Sequence, residues 1–197
     1  MKSSIFLNDM LTKGAILGGV MLVSNIAETA IVSYGSNPSL IYVMAVEVIA
    51  VIALYIWLLV RFTSNYANLV LAERKEMPYF SFGSGLSYTT SISMLAGVIV
   101  ALGGYMFRHY IIGYEEYITS YVQTLKSSLV GTEIPASMMG TYEEMFRAIE
   151  SQDEPSLISS ILSGVWSYLI AGTVVGLVVA AKTKSEPKIF DKQEENE

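Results

Sequence analysis

Four uninterrupted apolar runs, at about residues 14–34, 40–60, 84–106 and 156–181, decide what this chain can fold into. Each reaches the ~20 residues that a helix needs to cross ~30 Å of hydrocarbon. Lipid offers no partner to an unpaired backbone group, and four strands cannot close a barrel, so each run must be a helix. The composition agrees, with 52% hydrophobic and only 15% charged residues. The sequence therefore reads as an all-α membrane protein with four transmembrane helices in one domain, 1–181, followed by a charged cytoplasmic tail, 182–197. Lys2 and Lys13 ahead of the first run resemble the start of a secretory signal, but Glu28 beside the small residues Ala27 and Ala30 is poor cleavage chemistry, so the run reads as a retained helix. The chain has no cysteine, which removes disulfides and thiolate metal sites from consideration.

Orientation follows from Lys and Arg in the segments beside the helices. Lys2, Lys13, Arg61, Arg74, Lys75, Lys182 and Lys184 fall on one side, and the first loop, Gly35 to Ser39, has no basic residue. This predicts both termini in the cytoplasm and an extracytoplasmic loop at 107–155. The formal net charge is −6, and eight of the 18 acidic residues sit in that loop. No basic stripe suits nucleic acid, so no nucleic-acid partner is expected.

The turn Gly35-Ser36-Asn37-Pro38 predicts an antiparallel pairing of helices one and two. Helix two is expected to end near Trp57 and Arg61, with a polar linker running to Pro78. In the outer loop, Tyr114, Tyr117, Ile118, Tyr121, Val122, Leu125 and Leu129 recur at helical spacing. Thr141-Tyr142-Glu143-Glu144 matches a capping box, which predicts a second short helix from Thr141 after a break at 131–140. Together these make an amphipathic helical hairpin between helices three and four. Pro155 is expected to open helix four as a first-turn proline.

Small residues recur every fourth position as Gly85, Thr89, Ser93, Gly97 and Ala101 on helix three, and as Gly172, Gly176 and Ala180 on helix four. Gly14 and Gly18 begin a similar face on helix one. Such ladders let helix backbones approach in lipid, either within the chain or against a partner. Asn25 and Glu28 continue the Gly14–Gly18 face, so the carboxylate points toward protein. Glu47 on helix two lies at matched depth, each acid being ~10 Å from the outer end of its helix. Arg108 and His109 at the outer end of helix three are the candidate charge partners. These intramembrane polar groups are either hydrogen-bonded helix contacts or a site for a proton, cation or substrate.

No catalytic motif accompanies them. The acids are too few and scattered for a metal site, and the single His has no recognisable nucleophile motif beside it. Tyr105, Tyr110, Tyr114, Tyr117 and Tyr121 fit an interfacial aromatic belt. The chain is therefore expected to be non-catalytic, with no metal and no cofactor.

The order of these features resembles a known family: a helix pair, a linker closing on Tyr79-Phe80-Ser81-Phe82-Gly83, a Ser/Gly-rich third helix to Tyr105-Met106-Phe107, an acidic outer segment, and a Gly-rich fourth helix. It resembles the bacterial membrane family of domain of unknown function 4199 over nearly the whole chain before the tail, departing at Ile112-Gly113-Tyr114. The resemblance implies a multi-pass protein of the bacterial inner membrane with no catalytic residues to carry over. It also implies a membrane-protein partner, a lipid-linked glycosyltransferase being one candidate. Two functions follow as expectations. The first is an accessory or scaffolding subunit that packs its small-residue faces on a partner or forms a homo-oligomer. The second is a small transporter or lipid-handling protein that uses Glu28 and Glu47.

Overall fold

The structure, a computed structural model, describes residues 2–34, 40–73, 79–129 and 136–185. The expected turn at 35–39, the end of the linker at 74–78, the first half of the 131–140 break and the tail from 186 lie outside the described residues. Those residues form α1 (Lys2–Tyr34), α2 (Leu40–Glu73), α3 (Phe82–Met106), α4 (Tyr114–Leu129), α5 (Ala136–Glu150) and α6 (Leu157–Thr183). Four of these, α1, α2, α3 and α6, are long and apolar enough to cross a membrane.

Two of the spanning helices outrun the apolar runs that revealed them. α1 begins at Lys2, not at Gly14, and the charges of Asp9 and Lys13 on its added turns are partnered. Asp9 accepts a hydrogen bond from the Tyr88 hydroxyl, and the Lys13 ammonium lies 5.5 Å from the centre of the Phe62 ring. α2 passes Trp57 and Arg61 and continues to Glu73, because its buried stripe does not stop there. Tyr55, Leu58, Leu59, Phe62, Tyr66 and Ala67 follow three- and four-residue spacing into the core. Arg61 lies over the Trp57 ring at 5.1 Å, so the pair marks a depth and not a helix end.

α3 starts where its cap dictates. Ser81 is extended, and its side chain accepts a hydrogen bond from the Ser84 amide at 3.1 Å. At the other end the winding loosens into a π-helical segment, Phe107–Ile112, closed by the Gly113 amide donating to the Arg108 carbonyl at 2.9 Å. Gly113 has φ +93°, a region that only glycine enters cheaply, and the chain leaves the bundle there to begin α4. α4 spans the expected residues. α5 begins at Ala136, upstream of the Thr141 capping box, because Ala136 to Met139 are sound helix formers and Gly140 costs only ~1 kcal/mol inside a helix. Pro135, which cannot sit inside a helix, directly precedes it. Pro155 lies outside α6, whose cap is Ser156, accepting from the Ser159 amide at 3.2 Å.

α3 is the centre of the bundle, with α6 and α1 packed closely along it. The contact with α6 runs in steps of four residues along both antiparallel helices. A Cβ on Gly85 would lie 3.1 Å from the Ala180 Cβ, and one on Gly97 would lie 2.8 Å from the Gly164 carbonyl oxygen. Gly172 faces Ser93, and Gly176 faces Thr89, with even less room. On α1, Gly14 seats Leu95 and Gly18 seats Ile99, where added Cβ atoms would approach to 2.7 and 2.8 Å. The small-residue faces of α1, α3 and α6 are thus occupied within the chain.

The end of the bundle that carries the start of α1 and the end of α6, the terminal end, holds an aromatic core. Tyr66 and Tyr88 stack at 4.2 Å, with Phe6 and Phe80 edge-on to Tyr66 at 5.9 Å. The Phe80 amide donates to the Ser185 hydroxyl at 2.7 Å, and the Ser185 amide donates to the Phe80 carbonyl at 3.0 Å, which ties α6 to the start of α3. The opposite, capped end carries α4, whose Ser120 hydroxyl donates to the Ser33 carbonyl of α1 at 3.5 Å. α5 meets α4 through Lys126, 2.8 Å from Glu150 and 5.4 Å from the Phe146 ring centre. Only the terminal half of α2 is well packed. At the capped end Tyr42, Val43, Val46 and Ile49 are each more than half exposed.

Candidate functional site

The close approach of α1 to α3 at Gly14 and Gly18 determines what meets one end further along. Gly103 faces Leu22, and Gly104 faces Asn25: a Cβ on Gly104 would lie 2.6 Å from Asn25 Oδ1. The same point is 3.5 and 3.7 Å from the two terminal nitrogens of Arg108. Glycine at 104 is what allows an amide and a guanidinium to share this space. Asn25 Oδ1 is buried and has no hydrogen-bond partner.

One turn beyond Asn25, half-buried Glu28 comes within electrostatic reach of both Glu47 and Arg108. Glu47 is itself half-buried, on the stretch of α2 that is otherwise mostly exposed. Among the described residues the ion pairs are His109–Glu154, Lys126–Glu150 and Glu143–Arg147, and none joins Arg108 to either acid. Arg108 instead lies over the Tyr117 ring, 5.8 Å from its centre, so α4 roofs the cluster. The Tyr117 hydroxyl is pushed above the ordinary tyrosine range, chiefly by burial and further by Glu28, with Arg108 opposing.

Arg108 owes its placement to the π-helical segment, since the extra residue per turn rotates the side chains that follow out of the α-helical register. His109, as the next residue of a helix, points in another direction. The His109 ring does not turn toward the intramembrane acids: its Nδ1 is 2.7 Å from Glu154 Oε1, and the ring stacks on Tyr105 at 5.3 Å. The neighbouring hydroxyls of α1 do not donate to Glu28. Ser24 donates to the Val20 carbonyl at 3.4 Å, and Thr29 donates to the Asn25 carbonyl at 2.7 Å, both within α1.

Beside His109, a cleft of about 830 Å³ opens between the first turns of α4 and the segment entering α6, lined by Glu115, Glu116, Glu150, Asp153 and Glu154. Tyr114 at its edge is pushed above its ordinary range by burial and by Glu154, with Arg108 opposing and Asp153 adding to the rise. Among the described residues no three His, Asp or Glu side chains converge as metal ligands.

Several residues that shape the interior carry weak sequence signals. Gly164 extends the α6 ladder two steps ahead of Gly172, with Tyr168 between them, and a Cβ there would lie 2.5 Å from the Ala101 Cβ. Tyr55 donates to Ser93 at 2.9 Å, a bond between distant helices that no local pattern announces. Asp9 and Tyr88 pair across α1 and α3, where a reading by apolar runs had placed no helix around Asp9. The buried Thr63 hydroxyl nearby has no hydrogen-bond partner.

No curated protein and no solved structure matches this chain. The family described as Protein of unknown function (DUF4199) matches residues 12–185, which takes in α1 from Thr12 onward, the other three spanning helices and both loop helices. The chain belongs to that family.

Proposed function

We propose that this chain is a non-catalytic integral membrane protein that handles a lipid at the cluster of Asn25, Glu28, Glu47 and Arg108. The observation that carries this reading is an unmatched set of polar groups: an arginine outside ion-pair distance of two half-buried acids, next to a buried amide oxygen with no partner. Keeping charge at membrane depth is costly, and such groups are retained for a task. Together with the Lys and Arg bias, the capped end faces out of the cytoplasm, in the inner membrane.

Binding from one end fits better than conduction. Ser93, the nearest polar side chain of the inner network, precedes Arg108 by ~22 Å along α3. Leu17, Met21 and Ala96 fill the bundle between and are buried. A proton or cation arriving at Glu28 and Glu47 meets apolar side chains on its way inward. The test is lipid analysis by mass spectrometry on protein purified in mild detergent. The wild type is expected to retain lipid at stoichiometric amounts, and the Glu28→Gln/Glu47→Gln/Arg108→Gln triple variant is expected to lose it. Equal retention by both refutes the reading.

A second reading, the accessory subunit, is favoured by the exposed first half of α2. Its partner, whether a lipid-linked glycosyltransferase or a second copy, would lie against Val43, Val46 and Ile49, since the glycine seams are filled within the chain. Co-purification of a stoichiometric partner that is lost in Val46→Lys, and kept in Arg108→Gln, would favour it.

A further inference from the structure

We propose that the polar cluster at the capped end is a headgroup site for a phospholipid with a primary amine, of the phosphatidylethanolamine class. The proposal rests on the lipid-handling reading and names its ligand.

The donors and acceptors present specify two complementary ligand groups. Glu28, Glu47 and Asn25 Oδ1 offer acceptors, and Asn25 Oδ1 has nothing donating to it. An alkylammonium carries three N–H donors and no acceptor, which matches acceptors of this kind. Arg108 carries five N–H donors and no acceptor, and its guanidinium faces a tyrosine ring and not a carboxylate. A phosphodiester supplies the oxygens it lacks, in the fork geometry that arginine favours. The two demands lie side by side: Asn25 Oδ1 and the Arg108 nitrogens are all within 3.7 Å of one point above Gly104. A phosphoethanolamine headgroup joins one ammonium to one phosphate through a two-carbon link.

Charge narrows the choice. An inorganic cation satisfies the acids but is repelled by Arg108, and a lone phosphate satisfies Arg108 but is opposed by two carboxylates. A zwitterion answers both. A quaternary ammonium has no N–H to donate, so a choline headgroup leaves the carboxylates and the amide oxygen without a donor, which is costly.

The fold also supplies the depth and the opening. α1 has 33 residues and is therefore ~50 Å long, which leaves ~10 Å beyond each side of a ~30 Å hydrocarbon core. Glu28 lies one to two turns from the end of α1, at the boundary between acyl chains and headgroups. The first half of α2, which carries half-buried Glu47, is loosely packed with Val43, Val46 and Ile49 exposed, so a lipid can approach Glu47 from the side. α4 closes it from above through Tyr117. This placement selects a membrane lipid over a free aminoalkyl phosphate.

The test is native mass spectrometry of the full chain released from nanodiscs containing phosphatidylethanolamine, phosphatidylcholine and phosphatidylglycerol in equal amounts, with and without soluble phosphoethanolamine. The wild type is expected to retain the ethanolamine lipid about tenfold over either competitor, and Arg108→Gln and Glu47→Gln to abolish that preference. Circular dichroism shows which variants fold, and Glu47→Gln, on the loosely packed half of α2, reports on its own if Arg108→Gln does not. Lipid retained without headgroup preference, yet lost in the variants, overturns the ethanolamine assignment and leaves the lipid-handling reading standing. Displacement by soluble phosphoethanolamine overturns the membrane source. Retention that no variant changes overturns both readings.

Discussion

Replacing Gly164 by Ala puts a methyl group where the structure has no room. The new Cβ would lie 2.5 Å from the Ala101 Cβ and 3.0 Å from the Gly97 carbonyl oxygen. Carbon atoms prefer ~3.5–4.0 Å, so α3 and α6 must separate by ~1 Å along a seam that includes Ser93, Thr89 and Gly85. Overpacking of this kind costs about 1–3 kcal/mol, while alanine regains up to ~1 kcal/mol of helix propensity, so the single variant alone is ambiguous. The reciprocal change, Ala101→Gly, removes the opposing methyl. In the double variant the approach to the Ala101 Cβ is gone, and the next carbon, the Ala101 Cα, is 3.6 Å away. A double-mutant cycle cancels the propensity effects, which are local to each helix, and leaves a coupling of about 1–3 kcal/mol. The assay is equilibrium unfolding in mixed micelles of increasing denaturing-detergent content, followed by helical circular dichroism. Additive effects within about 0.5 kcal/mol would refute direct packing of these two positions.

Three further outcomes follow from single contacts. Gly113→Ala forces a side chain into φ +93° and is expected to cost about 1–3 kcal/mol, seen as faster proteolysis around α4 with the four spanning helices intact. The folded chain holds the Tyr117 hydroxyl neutral above the ordinary tyrosine value, chiefly by burial, so its contribution is present below about pH 10 and is lost as pH rises through the folded value. Tyr117→Phe is therefore expected to flatten the alkaline limb of a stability profile followed by helical circular dichroism, and an alkaline limb as steep as the wild type's would refute it. Ser156→Ala removes the cap that accepts from the Ser159 amide and is expected to cost about 0.5–2 kcal/mol, measured by the same unfolding titration.

The filled seams also change what a glycine substitution means. Gly97→Leu, which would test a partner-binding face if that face were free, must instead disrupt the fold, because the Gly164 carbonyl and the Tyr168 Cβ already sit within 3 Å of the position of the new Cβ. Loss of a partner in that variant would report unfolding. Gly19, with nothing within 4 Å, is the matched control on a spanning helix.

Hydropathy and periodicity carried the architecture a long way, because both come from local rules. The four spans and α4 were legible for that reason: lipid forces helices, and an amphipathic stripe needs a single period. The errors fell where a local signal competed with another, near or distant. The Thr141 capping box is chemically sound, but the helix formers upstream outweighed it. The first apolar run starts at about residue 14, yet α1 reaches back to Lys2, and Asp9 on its added turns is met by Tyr88, 79 residues away. His109 sits next to Arg108 in sequence, yet the two rings of chemistry separate, one joining Glu154 and the other the intramembrane cluster. Adjacent residues of any helix point apart, and which neighbour each one meets is set by where α4 and the entry to α6 pack.

From the sequence alone came the membrane, the number of spans, the small-residue ladders and the presence of two acids at matched depth. These depend on composition and on spacing along one chain, which any helix must obey. Only the tertiary structure decided that the ladders on α3 and α6 face each other in register, that Glu28, Glu47 and Arg108 come within reach, and that Asn25 is left with a buried, unpaired oxygen. Those facts depend on the rotation and separation of neighbouring helices, which are set by side-chain packing between segments far apart in the chain, and no periodicity within a single segment encodes them.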